Sequence, residues 1–155
     1  FKVVTKEGQT SVGVTGIGLE SSVELVQQDL KMAGDVTLTR VEVPGVGSIE
    51  GLTSPFTYAA GQLAFPKISG KFHKGELAGK ASIDFDKTQD LPLEISMEGR
   101  GVDVDLLLKA FGNSGDQLTG SLNADGTFTI PLTRPRELTG GGSFALEKGQ
   151  AKLLE

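Results

Sequence analysis

The sequence predicts a mainly β fold, an antiparallel meander of strands with one short amphipathic helix. Glycine accounts for 22 of the 155 residues, about twice its usual share, which favours frequent turns. Apolar and polar residues alternate through most of the chain, as is typical of half-buried strands. One segment, near residues 103–111, has helical spacing instead. The length fits a single domain, residues 1–155, that can form a core without disulfides or metals.

The first half of the chain predicts strands separated by glycine-rich turns. Ser21–Glu24 has the spacing of a helix capping box ahead of Leu25, but Val23 and Leu25 suit a strand equally well. The surrounding β pattern favours the strand. The alternating apolar residues of this half are Val12, Val14, Leu19, Val36, Leu38, Val41, Val43, Phe56, Tyr58, Leu63 and Phe65.

The second half of the chain predicts hairpins. Residues 68–79 form one, with its turn at Lys74-Gly75. Asp125-Gly126, which lies between apolar runs, predicts a tight two-residue turn, because Asp and Gly tolerate the positive φ that such turns need. A last pair of strands is expected around Lys148-Gly149. The strand faces between these turns carry Ala81, Ile83, Phe85, Leu91, Leu93, Ile95, Met97, Leu122, Phe128, Ile130, Phe144 and Leu146.

The predicted helix begins at Asp103, a suitable N-cap, and stops at Gly112-Asn113. In a chain otherwise made of strands, only a sheet face can cover an apolar helical stripe. We therefore expect the helix to act as a lid or plug on the sheet. Its stripe has the spacing i, i+3, i+4 and i+7 and consists of Val104, Leu107, Leu108 and Phe111.

Composition excludes several classes of function. The chain has no Cys and one His, which excludes thiolate metal sites, cysteine nucleophiles and multi-imidazole centres within one chain. Its formal net charge of −5 lacks the basic excess that nucleic-acid binding needs. We therefore predict no catalytic residue, no metal, no cofactor and no nucleic-acid partner.

Four features that could carry chemistry have simpler structural interpretations. His73 lacks an orienting Ser or Asp motif and is expected to be an exposed turn residue. The carboxylate pairs Asp84/Asp86 and Asp103/Asp105 do not have the spacing of a calcium loop. The run 140–142 of three glycines lacks the Lys and the following helix of a phosphate-binding loop. None of these features predicts an active site.

The ends of the chain and its hydropathy bear on location. No segment approaches the roughly 18 apolar residues of a membrane span, and residues 1–6 have no hydrophobic signal region. The chain starts without Met, and Leu154-Glu155 is typical of a cloning scar. We therefore expect an excised piece of a longer protein.

The apolar strand faces and the helix stripe are the remaining candidate site. They either pack as an ordinary core or leave one face open to hold an acyl chain, because large exposed apolar surfaces usually mark binding sites. The candidate residues for an apolar groove or its lid are Leu93, Ile95, Met97, Leu107, Leu108, Phe111, Leu122, Phe128, Ile130, Phe144 and Leu146.

The order of elements from residue 91 onward carries a resemblance. A strand over 93–99 enters the helix 102–111 and is followed by Leu-x-Gly strands at 118–126 and 138–144. This order resembles the C-terminal region of AsmA-like proteins, and it is also similar to the N component of type II secretion systems.

The resemblance implies a periplasmic protein of Gram-negative bacteria that is anchored to the inner membrane. It implies a strongly curved sheet, an open barrel or groove, that takes part in outer-membrane assembly or phospholipid traffic. The expected partners are phospholipid or acyl chains. The alternative is a structural module of a secretion system that pairs with envelope or secretion proteins through exposed strand edges. The sequence leaves the oligomeric state open.

Overall fold

The computed structural model describes residues 13–26, 29–43, 47–87, 89–112 and 118–151. Val12, Asn113, Leu154 and Glu155, which carried sequence-based expectations, lie outside these residues. The described elements are, in chain order, β1 (Gly13–Val26), β2 (Asp29–Val43), β3 (Gly47–Ala59), β4 (Gln62–Phe72), β5 (Gly75–Asp84), β6 (Pro92–Asp103), α1 (Val104–Ala110), β7 (Leu118–Pro131), a 3-10 turn (Pro135–Glu137) and β8 (Thr139–Ala151).

The eight strands form one antiparallel sheet in the order β1-β2-β3-β4-β5-β6-β7-β8. Each strand pairs with the next one along the chain, so the predicted meander with one short helix is confirmed. Ser21–Glu24 lies within β1, as the β surroundings favoured. Within the described residues β1 and β8 each pair with a single strand, and they form the two edges of the sheet.

The predicted strong curvature is wrong, because the sheet is neither closed nor strongly curled. A closed eight-stranded barrel requires the strands to tilt by about 35–45° and their register to stagger. Here β1 and β8 lie at opposite ends of the strand order and do not pair with each other among the described residues. One row of side-by-side residues crosses from Ile17 to Leu38 and Leu52, continues from Gly70 through Leu77, Gly99 and Ala124, and ends at Phe144.

The two faces of the sheet differ in polarity, because successive strand residues point to opposite faces. One row of direct partners is apolar: Val23, Met32, Tyr58, Leu63, Ile83, Leu93 and Ile130. The row beside it is small or polar: Ser22, Ala33, Thr57, Ala64, Ser82, Glu94, Thr129 and Thr139. We call the side that carries the first row the apolar face and the other side the polar face.

The helix forms where the spacing predicted it. The Asp103 side chain caps it by accepting a hydrogen bond from the Leu106 N–H at 3.2 Å. Phe111 ends it, with its N–H donating to the Leu107 carbonyl at 3.3 Å. The helix packs against β7 and β6, and Val102 and Val104 at this end of the sheet are each 4% exposed.

Two predicted turns are wrong. Asp125-Gly126 lies inside β7, where Asp125 pairs with Glu98 on one side and Ser143 on the other. The Gly serves packing, since a Cβ at Gly126 would lie 2.8 Å from the Phe128 ring. Lys148 has a φ of 53°, but it lies within β8, near a register irregularity between β7 and β8. Pairing with neighbouring strands outweighs local turn propensity at both places.

The hairpin between β4 and β5 agrees with the sequence to within one residue. Its turn consists of His73 and Lys74, with φ values of 45° and 65°. Both residues have the positive φ of a type I′ turn, whose twist suits a two-residue hairpin. The predicted turn, Lys74-Gly75, was one residue too late, because Gly75 already pairs with Phe72.

Candidate functional site

The apolar face is half-buried in the middle of the sheet and exposed at its edges. In the apolar row, Val23 of β1 is 62% exposed, whereas Met32, Tyr58 and the members from β4 to β7 are half-buried. Within the described residues no second sheet lies over this face. Neighbouring side chains of the same layer therefore supply most of the burial.

The strand residues predicted for the site share this face. Leu93 pairs with Ile130, Ile95 with Phe128, and Leu122 with Leu146. Because direct partners point to the same side of a sheet, these residues form one surface. Met97 lies two residues beyond Ile95, and Phe144 two before Leu146, on the same face as both.

Glycines shape the part of the apolar face near β8. A Cβ at Gly126 or at Gly140 would lie 2.8 Å or 2.6 Å from the ring of Phe128. The missing side chains leave room for that ring to lie across the neighbouring strands. Phe128 remains 37% exposed and Leu146 43%. This part of the face is an open apolar surface and not a closed core.

The predicted lid residues do not behave as one stripe. Leu107 and Leu108 are half-buried, but Phe111 is 57% exposed at the end of the helix. The helix packs on β6 and β7. It covers one end of two strands and therefore does not form a lid over the whole apolar face.

The site residues predicted from the sequence cover only part of the apolar face. β3 and β4 add a pair of aromatic rings, Phe56 and Phe65, whose centroids are 6.4 Å apart. Tyr58 and Phe85 make a second contact at 6.1 Å. The alternation of these residues was visible in the sequence, and pairing β3 with β4 in register would have placed them beside the other candidates.

The charged groups near the helix serve the fold. Lys74 Nζ lies 2.8 Å from Asp103 Oδ2, and the Asp103 N–H donates to the His73 carbonyl at 2.9 Å. The hydrogen bond from Lys74, with that from the Leu106 N–H, lowers the pKa of the Asp103 carboxyl, and partial desolvation opposes it. These contacts fasten the β4–β5 turn to the start of α1.

A depression of about 590 Å³ lies at the opposite end of the sheet. Arg134 dominates it and lies 2.6 Å from both Asp90 and Glu137. The side-chain hydrogen bond with Asp90 and the charge of Glu137 raise the pKa of this guanidinium. The guanidinium of Arg134 is thus held by two carboxylates, and these contacts fasten the segment around Asp90 to the 3-10 turn.

His73 lies in the β4–β5 turn and is half-buried, with its ring centroid 4.2 Å from that of Phe72. The predicted turn position is confirmed, but the residue is less exposed than the sequence predicted, because its ring rests against Phe72. In the described part of the chain, no group of three or more His, Asp or Glu side chains is placed to hold a metal ion.

No protein-family model, curated protein or solved structure matches the chain. Among the described residues, no helix has the length and apolar character to span a membrane. Of the features described above, the apolar face is the one that suggests a function.

Proposed function

We propose that the chain is a non-enzymatic module of the bacterial cell envelope whose apolar face binds the acyl chains of phospholipids. One observation supports this most strongly: a row of apolar direct partners crosses seven strands, while the adjacent row on the other face is small or polar. A sheet with one open apolar face matches an apolar ligand, because exposed apolar patches of this extent mark binding surfaces.

The dimensions of the face suit an acyl chain. Strands lie about 4.8 Å apart, so a sheet of eight strands is roughly 34 Å wide. That width slightly exceeds the ~30 Å hydrocarbon core of a bilayer, which holds two acyl chains end to end. Each buried methylene contributes about 0.8 kcal/mol, and half the sheet is enough to bury one chain.

The location is part of the same proposal. The resemblance to AsmA-like proteins over residues 91–153 supports a periplasmic module, anchored to the inner membrane in the longer protein and acting in outer-membrane assembly or phospholipid traffic. A lipid-binding face fits that role, since lipids that leave one membrane need apolar shelter from water.

A single tryptophan can test which face meets lipid, because the chain contains none. Thr127 and Phe128 are consecutive in β7, so their side chains lie on opposite faces. Phosphatidylethanolamine with brominated acyl chains should quench the fluorescence of Phe128→Trp strongly and that of Thr127→Trp weakly. Lipid that co-purifies in stoichiometric amount, identified by mass spectrometry, should accompany this result. Equal quenching of both variants, or none in either, would contradict the proposal.

A second candidate has one observation in its favour: β1 and β8, within the residues that the structure describes, each pair with a single strand. A structural module of a type II secretion system would use these edges to pair with a partner protein. It would yield no co-purifying lipid and no face-dependent quenching, which separates it from the first candidate.

A further inference from the structure

The edge strands β1 and β8 contain little of the Lys and Pro that help to keep natural sheet edges from pairing. Edges are commonly protected by Lys or Pro residues. β1 contains neither, and β8 contains one Lys, Lys148, near the irregular part of its pairing with β7. Both prolines that lie well inside strands, Pro55 and Pro66, are in β3 and β4. Of these two residue types, the edge strands therefore contain a single Lys and no Pro.

The number of strands decides how a second copy would fit. In a meander of eight strands, β1 and β8 run in opposite directions. A copy placed beside the first with the same orientation therefore brings its β1 antiparallel to the first copy's β8. The two apolar faces then lie on the same side, and the meander continues without a break.

We propose that two copies of this chain join edge to edge, β8 of one pairing with β1 of the other, with Phe144 opposite Leu19. In this register Leu146 lies opposite Ile17. These four residues are among the most exposed apolar side chains described, at 80% for Phe144, 62% for Leu19, 57% for Ile17 and 43% for Leu146. The pairing covers side chains on both edges at once.

The residues of the polar face are also compatible with this register. Glu20 lies opposite Ser143 and Glu147 opposite Gly16, so no two carboxylates face each other. A shift of one residue would place the apolar face of one copy beside the polar face of the other. A shift of two residues either way would set Phe144 against Ser21, or Leu19 against Gly142. Among the registers within two residues of it, the proposed register is the one that pairs apolar residues twice.

A two-fold arrangement fits less well. If β8 paired with β8 of a second copy, Phe144 could be covered, but Ile17 and Leu19 of both copies would stay exposed. In the head-to-tail arrangement a single contact covers apolar residues of both kinds of edge, and further copies can add at the β1 and β8 that remain unpaired, which lengthens the apolar face. It depends on the edges alone and does not require acyl-chain binding.

Disulfide cross-linking tests this register cleanly, because the chain has no Cys. Direct partners in antiparallel strands have Cα atoms about 4.5–5.5 Å apart, within the range that a disulfide spans. Leu19→Cys and Phe144→Cys should be prepared separately, mixed without lipid or detergent, and oxidised. Both sites are exposed, so neither substitution threatens folding. Val23→Cys, four residues and about 13 Å farther along β1, is the control partner.

We expect the mixture of Leu19→Cys and Phe144→Cys to form a mixed disulfide at least about tenfold faster than that of Val23→Cys and Phe144→Cys. Sedimentation of the unsubstituted chain should show concentration-dependent association that Leu19→Lys removes. Equal rates for the two mixtures, a dominant Phe144→Cys homodimer, or an unsubstituted chain that stays monomeric would overturn the proposal. Because no lipid is present, these outcomes are separate from those of the quenching experiment.

Discussion

Phe56 in β3 and Phe144 in β8 lie on the same face of one sheet, yet Phe56 is 7% exposed and Phe144 80%. Phe56 has Gly34 beside it in β2 and the Phe65 ring 6.4 Å away in β4. Phe144 has Ala124 beside it in β7 and, among the described residues, no strand on its other side. The two phenylalanines differ in their neighbours within the layer.

This difference shows how a single sheet protects an apolar face. Central strands gain burial from neighbours on both sides, so Phe56 is protected without a second layer. Edge strands gain it from one side, and Ile17, Leu19 and Phe144 stay exposed. The centre should therefore contribute most of the stability, and the exposed side chains of the edge strands should contribute less.

The largest predicted effect contrasts the two phenylalanines directly. Phe56→Ala should lower the free energy of unfolding by about 3–5 kcal/mol, because it leaves a cavity among ordered neighbours. Phe144→Ala should change it by no more than about 0.5 kcal/mol, as is usual at the surface. Urea unfolding followed by circular dichroism measures both. A similar loss for the two variants would show that a further layer covers β8.

The helix end offers a second, smaller contrast. Val104→Ala should cost about 1.5–3 kcal/mol, since this side chain is 4% exposed. Phe111→Ala should cost less than about 1 kcal/mol, because Phe111 is 57% exposed. Thermal unfolding of the two variants gives the comparison. A larger loss of stability for Phe111→Ala than for Val104→Ala would support the packed helical stripe that the sequence predicted.

The local pattern of the sequence predicted the faces well and the closure of the sheet poorly. Alternation placed Leu93, Ile95 and Phe128 on one face because strand geometry fixes which side each residue points to. The same local rules failed at Asp125-Gly126, where the Gly makes room for the Phe128 ring. Curvature depends on stagger summed over all the strands, and no short motif encodes that sum.

The extent of the site was missed for a related reason. Phe56 and Phe65 are nine residues apart in sequence but lie side by side across β3 and β4, a contact that depends on the register of this hairpin and not on alternation within one strand. The exposure of Phe111 likewise follows from where the helix ends relative to β6 and β7. Helical spacing predicts a stripe but not how much sheet lies beneath it.

A third prediction separates backbone strain from packing. Gly51 in β3 has a φ of 59°, and a Cβ there would meet nothing within 4 Å. Gly51→Ala should therefore cost about 1–2 kcal/mol from the left-handed conformation alone. Gly141 in β8 is equally open but lacks a positive φ. Gly141→Ala should be neutral or stabilise by up to about 1 kcal/mol. Urea unfolding should show a clearly larger loss of stability for Gly51→Ala than for Gly141→Ala. Equal changes in the free energy of unfolding would mean that the backbone at residue 51 relaxes and relieves the strain.

The smallest predicted effect concerns the ion pair between Lys74 and Asp103, which fastens the β4–β5 turn to α1. Because Lys74 lowers the pKa of Asp103 below its ordinary value of 3.8, the stabilisation is present above that value and is lost as the pH falls through the lower pKa of the folded state. Lys74→Met should cost less than about 1 kcal/mol at pH 7, as exposed pairs do, and nothing at a pH below both pKa values.

Lys148→Met in the edge strand β8 is the matched control for that variant, since no ion pair of Lys148 occurs among the described residues. It removes the same charge and should leave the free energy of unfolding unchanged at both pH values. Urea unfolding at pH 7 and in acid measures the difference between the variants. If the cost of Lys74→Met persisted in acid, it would come from lost packing of the lysine stem, and the carboxylate of Asp103 would not be its cause.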